Sequence, residues 1–265
     1  MSEQPQSILF QVTDGVAVVT INRPERGNAL DDAAREGIRA AWRNIEASPE
    51  IDVAIITATG DRHFCTGADV GRLSREQASQ SIEEQRQAGP GGWSSRHYGV
   101  TKPVICAVNG IANGAGLHFA VEADIILGTR HAVFMDSHVN VGQVGALENI
   151  GLAKRLPLGT ALRITLMGKK YRMGAERAYQ LGLLDELYDS REQMMEGAME
   201  MAKIISGNSP SAMRRSKEAI WQSLELPLAE SLANGWNLIC DQRSHPDAQE
   251  GLAAFKEKRP PNWQR

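Results

Sequence analysis

The chain has 265 residues, 42% of them apolar and 23% charged, with a net charge near −3. That is enough apolar material for one large core or two modest ones. It supplies no basic field for nucleic acid and no polybasic membrane anchor, and no apolar run approaches the roughly 18 residues of a membrane span.

The first seven residues are polar and lack both a basic leader region and an Arg-rich transit pattern, so a cytoplasmic location is expected. Segments 8–12 and 16–21 read as strands joined by a hairpin at Asp14-Gly15. A helix over 31–47 starts at Asp31 or Asp32 and is closed by Ser48-Pro49. The β-branched segment 53–59 is a strand, followed by Gly60 and the turn Phe64-Cys65-Thr66-Gly67-Ala68-Asp69-Val70. Segment 74–98 is polar, rich in Gln and Glu, and interrupted by Gly89-Pro90-Gly91-Gly92. It is either a lid over a site or a solvated surface stretch, with Trp93, His97 and Tyr98 at its end. Strands are expected at 104–108, 125–129 and 133–136, and helices at about 115–122 and 147–156. From about residue 190 the pattern is wholly helical, at 190–205, 209–224, 227–240 and 246–256. Strands alternating with helices predict an α/β architecture. The terminal helices carry spare apolar residues (Trp221, Leu224, Trp236, Leu238, Ile239), which points to burial against another subunit.

Two junctions carry the chemistry. Strand 104–108 leads through Asn109-Gly110 and Gly114-Ala115-Gly116 into a helix. Small residues there let a ligand approach backbone N–H groups that have no partner inside the helix, and the helix dipole favours negative charge at that point. The Gly67-Ala68 step is a second junction of the same kind. Together they supply two N–H donors to one oxygen, as an enzyme needs when it polarises a carbonyl into an enolate or oxyanion. Gly114-Ala115-Gly116 does not complete a dinucleotide fingerprint, because the third glycine position is Phe119. No P-loop, EF-hand or zinc pattern is present, and no metal is expected. The cysteines, Cys65, Cys106 and Cys240, are widely spaced and form neither a disulfide framework nor a zinc pair. Cys65 adjoins the first turn, which leaves a nucleophilic role open.

These junctions, with Val18-Val19-Thr20-Ile21-Asn22-Arg23-Pro24, Asn28-Ala29-Leu30, Ala123-Asp124-Ile125-Ile126-Leu127, the 178–184 segment and the 251–259 segment, resemble the crotonase superfamily (the enoyl-CoA hydratase/isomerase family) over nearly the whole chain. The resemblance implies a spiral of ββα turns over residues 1–195 and a C-terminal helical subdomain over 196–265 that builds a homotrimer or homohexamer. It implies an acyl-CoA substrate whose thioester oxygen is bound by the N–H groups of Ala68 and Ala115, with coenzyme A present only as part of that substrate. Arg26, Gly27, Thr66, Gly67, Asp69 and Val70 are the implied coenzyme A contacts. Phe255 and Lys258 join them from the last helix, from a neighbouring subunit if need be.

The chain departs from the family pattern at both catalytic glutamates. Alignment puts His118 at the first and His138 at the second. A neutral imidazole at a helix start can act as base; His138 can donate a proton or activate water; and either ring can instead merely fill the pocket. Glu148 is the nearest candidate to orient His138, with Asp69 and Asp136 as further options. Asp136 shares a face with His138 if the segment is extended. Hydration of an enoyl-CoA, hydrolysis of a carbon–carbon or thioester bond, and silent binding of an acyl-CoA all remain open.

Overall fold

The computed structural model describes residues 6–69, 81–88 and 92–265. Among these residues ten strands form two sheets. They are β1 (Ile8–Thr13), β2 (Val16–Ile21), β3 (Val53–Ala58), β4 (His63–Cys65), β5 (Val104–Val108), β6 (Ile111–Asn113), β7 (Ile125–Thr129), β8 (Val133–Met135), β9 (Met173–Gly174) and β10 (Glu186–Tyr188). The larger sheet has the order β1-β2-β3-β5-β7-β10, and the smaller one β4-β6-β8-β9. Only β1–β2 and β8–β9 pair antiparallel. In the segments β3–β4, β5–β6 and β7–β8 the first strand enters the large sheet and the second enters the small one. Repetition of that step turns the chain into a spiral.

Among the described residues the helices are α1 (Asp32–Ala47), α2 (Ile82–Ala88), α3 (Ala115–Glu122), α4 (Leu147–Arg155), α5 (Leu158–Met167), α6 (Ala175–Gln180), α7 (Arg191–Ser206), α8 (Pro210–Gln222), α9 (Leu228–Arg243) and α10 (Pro246–Glu257). Local chemistry sets their starts. Asp31 caps α1 by accepting the Ala34 N–H at 2.9 Å, and Ser190 and Ser209 cap α7 and α8 in the same way. Residues Ala34, Ile38, Ala41, Trp42 and Ile45 form one buried stripe of α1.

Every residue of β3 is buried, because the sheet is covered on both faces. Val19, Ile56 and Cys106 face the larger core, with α1 and the small sheet. Val53, Ile55 and Ile105 face the opposite way, against Met194, Ala198 and Ala202 of α7. The predicted strands and long helices are present, most within a residue or two and α9 three residues longer than read. Not anticipated were the short strands β4, β6, β9 and β10 and the helices α5 and α6. They are too brief or too evenly apolar to show a period of their own. The 74–98 segment falls partly outside the described residues; within it lies α2. No described helix is long and apolar enough to cross a membrane.

One expectation for the terminal helices needs correction. Trp221 is not spare: its indole N–H donates to Asp124 at 2.7 Å, and its ring lies under the guanidinium of Arg96 at 4.1 Å. Leu232, Trp236 and Ile239 of α9 remain 66%, 54% and 51% exposed. An unforeseen second apolar surface lies on α4, α5 and the loop before them, where Val144, Ile150 and Leu166 are exposed.

Candidate active site

Three parallel strands of the small sheet, β4, β6 and β8, end side by side. Their registers pair Cys65 with Ala112 and Asn113 with Met135. The residues that follow each strand are therefore brought together: Thr66-Gly67-Ala68, Gly114-Ala115 and Asp136-Ser137-His138. A site beyond the carboxyl ends of parallel strands is the general expectation for such sheets.

The two turns are bound to each other by the Asn113 side-chain amide, which donates to the Thr66 carbonyl at 2.9 Å. Gly67 has φ 99° and Gly114 has φ 53°, conformations that favour glycine. Gly116 is needed for space, since a methyl group there would run into the Cys65 carbonyl. On one side Leu30 brackets the first turn, donating to the Gly67 carbonyl at 2.8 Å and accepting from the Asp69 N–H at 3.0 Å. Among the described residues the N–H groups of Ala68 and Ala115 have no acceptor.

His138 stands beside them. A methyl group on Gly114 would lie 3.4 Å from His138 Cε1, 3.9 Å from its Nε2 and 3.6 Å from Gly67 Cα. The other edge of the ring faces carboxylates. Nδ1 is 2.7 Å from Asp136 Oδ1 and 3.0 Å from Glu148 Oε1. The N–H points at Asp136; Glu148 Oε1 is buried without a hydrogen bond and acts as a nearby charge. Asp136 is fully buried, and its second oxygen accepts from the Asn149 amide. The Asp136 bond, reinforced by Glu148, raises the His138 pKa to about 10 against the effect of burial. Burial favours a neutral Asp136, but the bonds from His138 and Asn149 outweigh it and hold the carboxyl below its usual range. A buried carboxylate pair of this kind stabilises imidazolium. The condition under which Asp136 and His138 share a face, an extended segment, is not met. His138–Val141 is a 3-10 turn, and the coupling to Asp136 runs through the bend rather than along a strand face.

The donor atoms of Asp136, His138 and Glu148 lie within 4.8 Å of one another, a set able to hold a divalent cation. With its Nδ1 proton given to Asp136, the imidazolium already supplies the balancing positive charge, and a metal would have to displace that proton.

His118 lies in the first turns of α3 and is 4% exposed. Its Nε2 is 3.1 Å from Glu122 Oε1, a partner the sequence reading overlooked. The spacing of four residues, which puts both side chains on one helix face, was a usable signal. The other oxygen of Glu122 accepts from the Ser94 hydroxyl. Burial raises the Glu122 pKa, but the bonds from His118 and Ser94 more than reverse it and hold the carboxyl below its usual range.

Asp69 is committed elsewhere, 3.7 Å from Arg23, and orients neither histidine. Cys65 is fully buried, and burial pushes its thiol up to about 12. That excludes a thiolate nucleophile at neutral pH. Of the implied coenzyme A contacts, Gly27 and Thr66 are joined by a 3.0 Å bond from the threonine hydroxyl to the glycine carbonyl, and Arg26 is exposed beside them. Val70 lies outside the described residues. Phe255 is 85% exposed and Lys258 ends α10 in a left-handed conformation. Neither forms a hydrogen bond or ion pair with a described residue of the two turns.

A cavity of about 870 Å³ opens between α3, α4 and α8; Glu122, Leu147, Ile150, Met213, Trp221 and Leu224 are among its walls. A second, of about 930 Å³, lies between the end of α1, residues 96–102 and α8. Neither is lined by Ala68, Ala115 or His138.

The site thus joins a strand-paired spiral to two turns with backbone donors. The sequence pattern of the enoyl-CoA hydratase/isomerase family matches residues 11–265. The chain belongs to that family and is an acyl-CoA enzyme of it. It is 28% identical over 255 residues to the (E)-benzylidenesuccinyl-CoA hydratase of Thauera aromatica, covering 96% of this chain and 97% of the relative. It is 32% identical to the carnitinyl-CoA dehydratase of Salmonella typhi, covering 92% and 93% of the two chains. The crystal structure of an enoyl-CoA hydratase/isomerase from Mycobacterium paratuberculosis superposes with a TM-score of 0.86 at 37% identity, covering 97% and 98%.

Proposed function

We propose that this protein adds water to the double bond of a 2-enoyl-CoA thioester, or removes it from the corresponding 3-hydroxyacyl-CoA, with imidazoles in place of the family's carboxylates. The observation that carries the reading is the placement of the His138 ring edge against the turn that holds the free Ala115 N–H. The thioester oxygen accepts from Ala68 and Ala115, and these rigid donors stabilise the enolate as charge develops. His118 takes a proton from the attacking water at Nδ1, the hydroxide adds to C3, and the His138 imidazolium gives its Nε2 proton to C2. Proton exchange with solvent restores both rings.

The carboxylates around His138 favour hydration over hydrolysis. With its pKa raised to about 10, His138 is protonated at neutral pH. It is therefore a poor base for driving water at a carbonyl and a good proton donor. Relatives named as a hydratase and a dehydratase support the same direction.

Coenzyme A rests on Arg26, Gly27, Thr66, Gly67, Asp69 and Val70, with Phe255 and Lys258 supplied by a neighbouring subunit of a homotrimer or homohexamer, and the reaction is cytoplasmic. The test is mass spectrometry of the purified protein with a panel of enoyl-, 3-hydroxyacyl- and β-ketoacyl-CoA thioesters. Gain or loss of 18 mass units with the thioester intact is expected. Release of free coenzyme A or a shortened acyl chain would replace this reading with hydrolysis, and binding without turnover would replace it with a silent acyl-CoA binder.

A further inference from the structure

We infer that Glu122 is a positioning residue of the site, holding His118 in the tautomer that leaves Nδ1 free. An ionised carboxylate only accepts hydrogen bonds. Glu122 Oε1 lies 3.1 Å from Nε2, so the ring proton belongs on Nε2 and the lone pair on Nδ1. Both oxygens of Glu122 are occupied, one by His118 and the other by the Ser94 hydroxyl. Ser94 is 1% exposed and comes from the segment that ends in Trp93, His97 and Tyr98. The carboxylate is thus tied down from two directions, by its own helix and by a segment 28 residues earlier in the chain.

The same logic operates at the second ring with the opposite nitrogen. Asp136 accepts the Nδ1–H of the His138 imidazolium in a hydrogen bond and leaves the Nε2–H toward Gly114. The two imidazoles therefore offer different atoms, each selected by its own carboxylate. Such a partner fixes ring orientation and tautomer and stabilises the imidazolium that forms during proton transfer. Arg96 is the other charged group acting on Glu122, and it also pairs with Glu225 at 3.2 Å.

The role of His118 as base rests on the hydration reading, but the tautomer does not, so the two are tested apart. Nitrogen-15 NMR of the histidine rings in the resting protein should show His118 as a single Nε2–H tautomer. Glu122→Leu, which removes the acceptor, should give a mixture of tautomers. Glu122→Gln, whose amide can point its NH2 at the ring and favour the wrong tautomer, should lower kcat by about 10²-fold or more while KM changes less than about twofold. Glu122→Asp should recover part of the loss. The same His118 tautomer population in wild type and Glu122→Leu would overturn the assignment, whatever the activity. Wild-type kcat in Glu122→Gln would also overturn it. Absence of turnover in the wild type would instead fall on the hydration reading and leave the NMR result to decide this one.

Discussion

One oxygen of Asp136 receives both the backbone N–H and the ring Nδ1 of His138, each at 2.7 Å. The carboxylate is fully buried, and Asn149 donates to its other oxygen. The ring cannot turn without breaking a charge-assisted bond in a site of low polarity, where such bonds are strong.

The raised pKa of His138 sets a pH dependence opposite to that of an unperturbed imidazole base. A proton donor must be charged, so activity should fall as pH rises through about 10. Stability carries the same sign. A histidine whose folded pKa lies above its unfolded value of about 6.5 stabilises fully below that pH and loses the contribution as pH rises through the folded value. The thermal stability gap between wild type and His138→Gln should therefore be largest below pH 6 and shrink toward pH 10. A gap that grows with pH would contradict the Asp136 pairing. His118→Ala and His138→Ala should each lower kcat by about 10²–10⁴-fold with coenzyme A affinity nearly unchanged.

Ala115 is the first residue of α3, a position where proline is well tolerated because its missing N–H would have no helical partner. Ala115→Pro should thus keep the fold and remove one oxyanion donor. A loss of about 10²–10³ in kcat is expected, read from steady-state kinetics beside an unchanged circular dichroism spectrum. Full activity in a folded variant would show that the thioester oxygen binds elsewhere.

Gly145 packs against the charged cluster. A methyl group there would meet His138 Nδ1 at 3.1 Å and press on Asp136 and Asn149 more closely still. Gly145→Ala should cost about 1–3 kcal/mol by overpacking and should lower kcat by displacing the ring. Denaturant unfolding and kinetics on the same sample check both effects.

The exposed Leu232, Trp236 and Ile239 on α9, and Ile150 and Leu166 nearer the site, call for burial in an assembly. A trimer or hexamer is expected by sedimentation at micromolar concentration. Trp236→Glu and Leu232→Glu together should shift it toward monomer and weaken acyl-CoA binding if Phe255 and Lys258 act across subunits. A stable wild-type monomer would refute the assembly and the shared site together.

Local pattern alone was enough to place most of the framework. β-branched runs marked β2, β3, β5 and β7 with bounds correct to a residue, and Asp31, Ser190 and Ser209 announced helix starts because capping is a contact between near neighbours. The Gly67-Ala68 and Gly114-Ala115 steps were legible for the same reason. What the sequence did not decide is which groups meet. Asp136 and Glu148 converge on one nitrogen because β8 ends beside β6 and α4 then returns over it, and Glu122 meets Ser94 across 28 residues. Those contacts set the charge of His138, whose role as proton donor or activator of water the sequence left open. Protonation is a property of surroundings: desolvation and neighbouring charges move a pKa by several units, and only the folded chain assembles those surroundings.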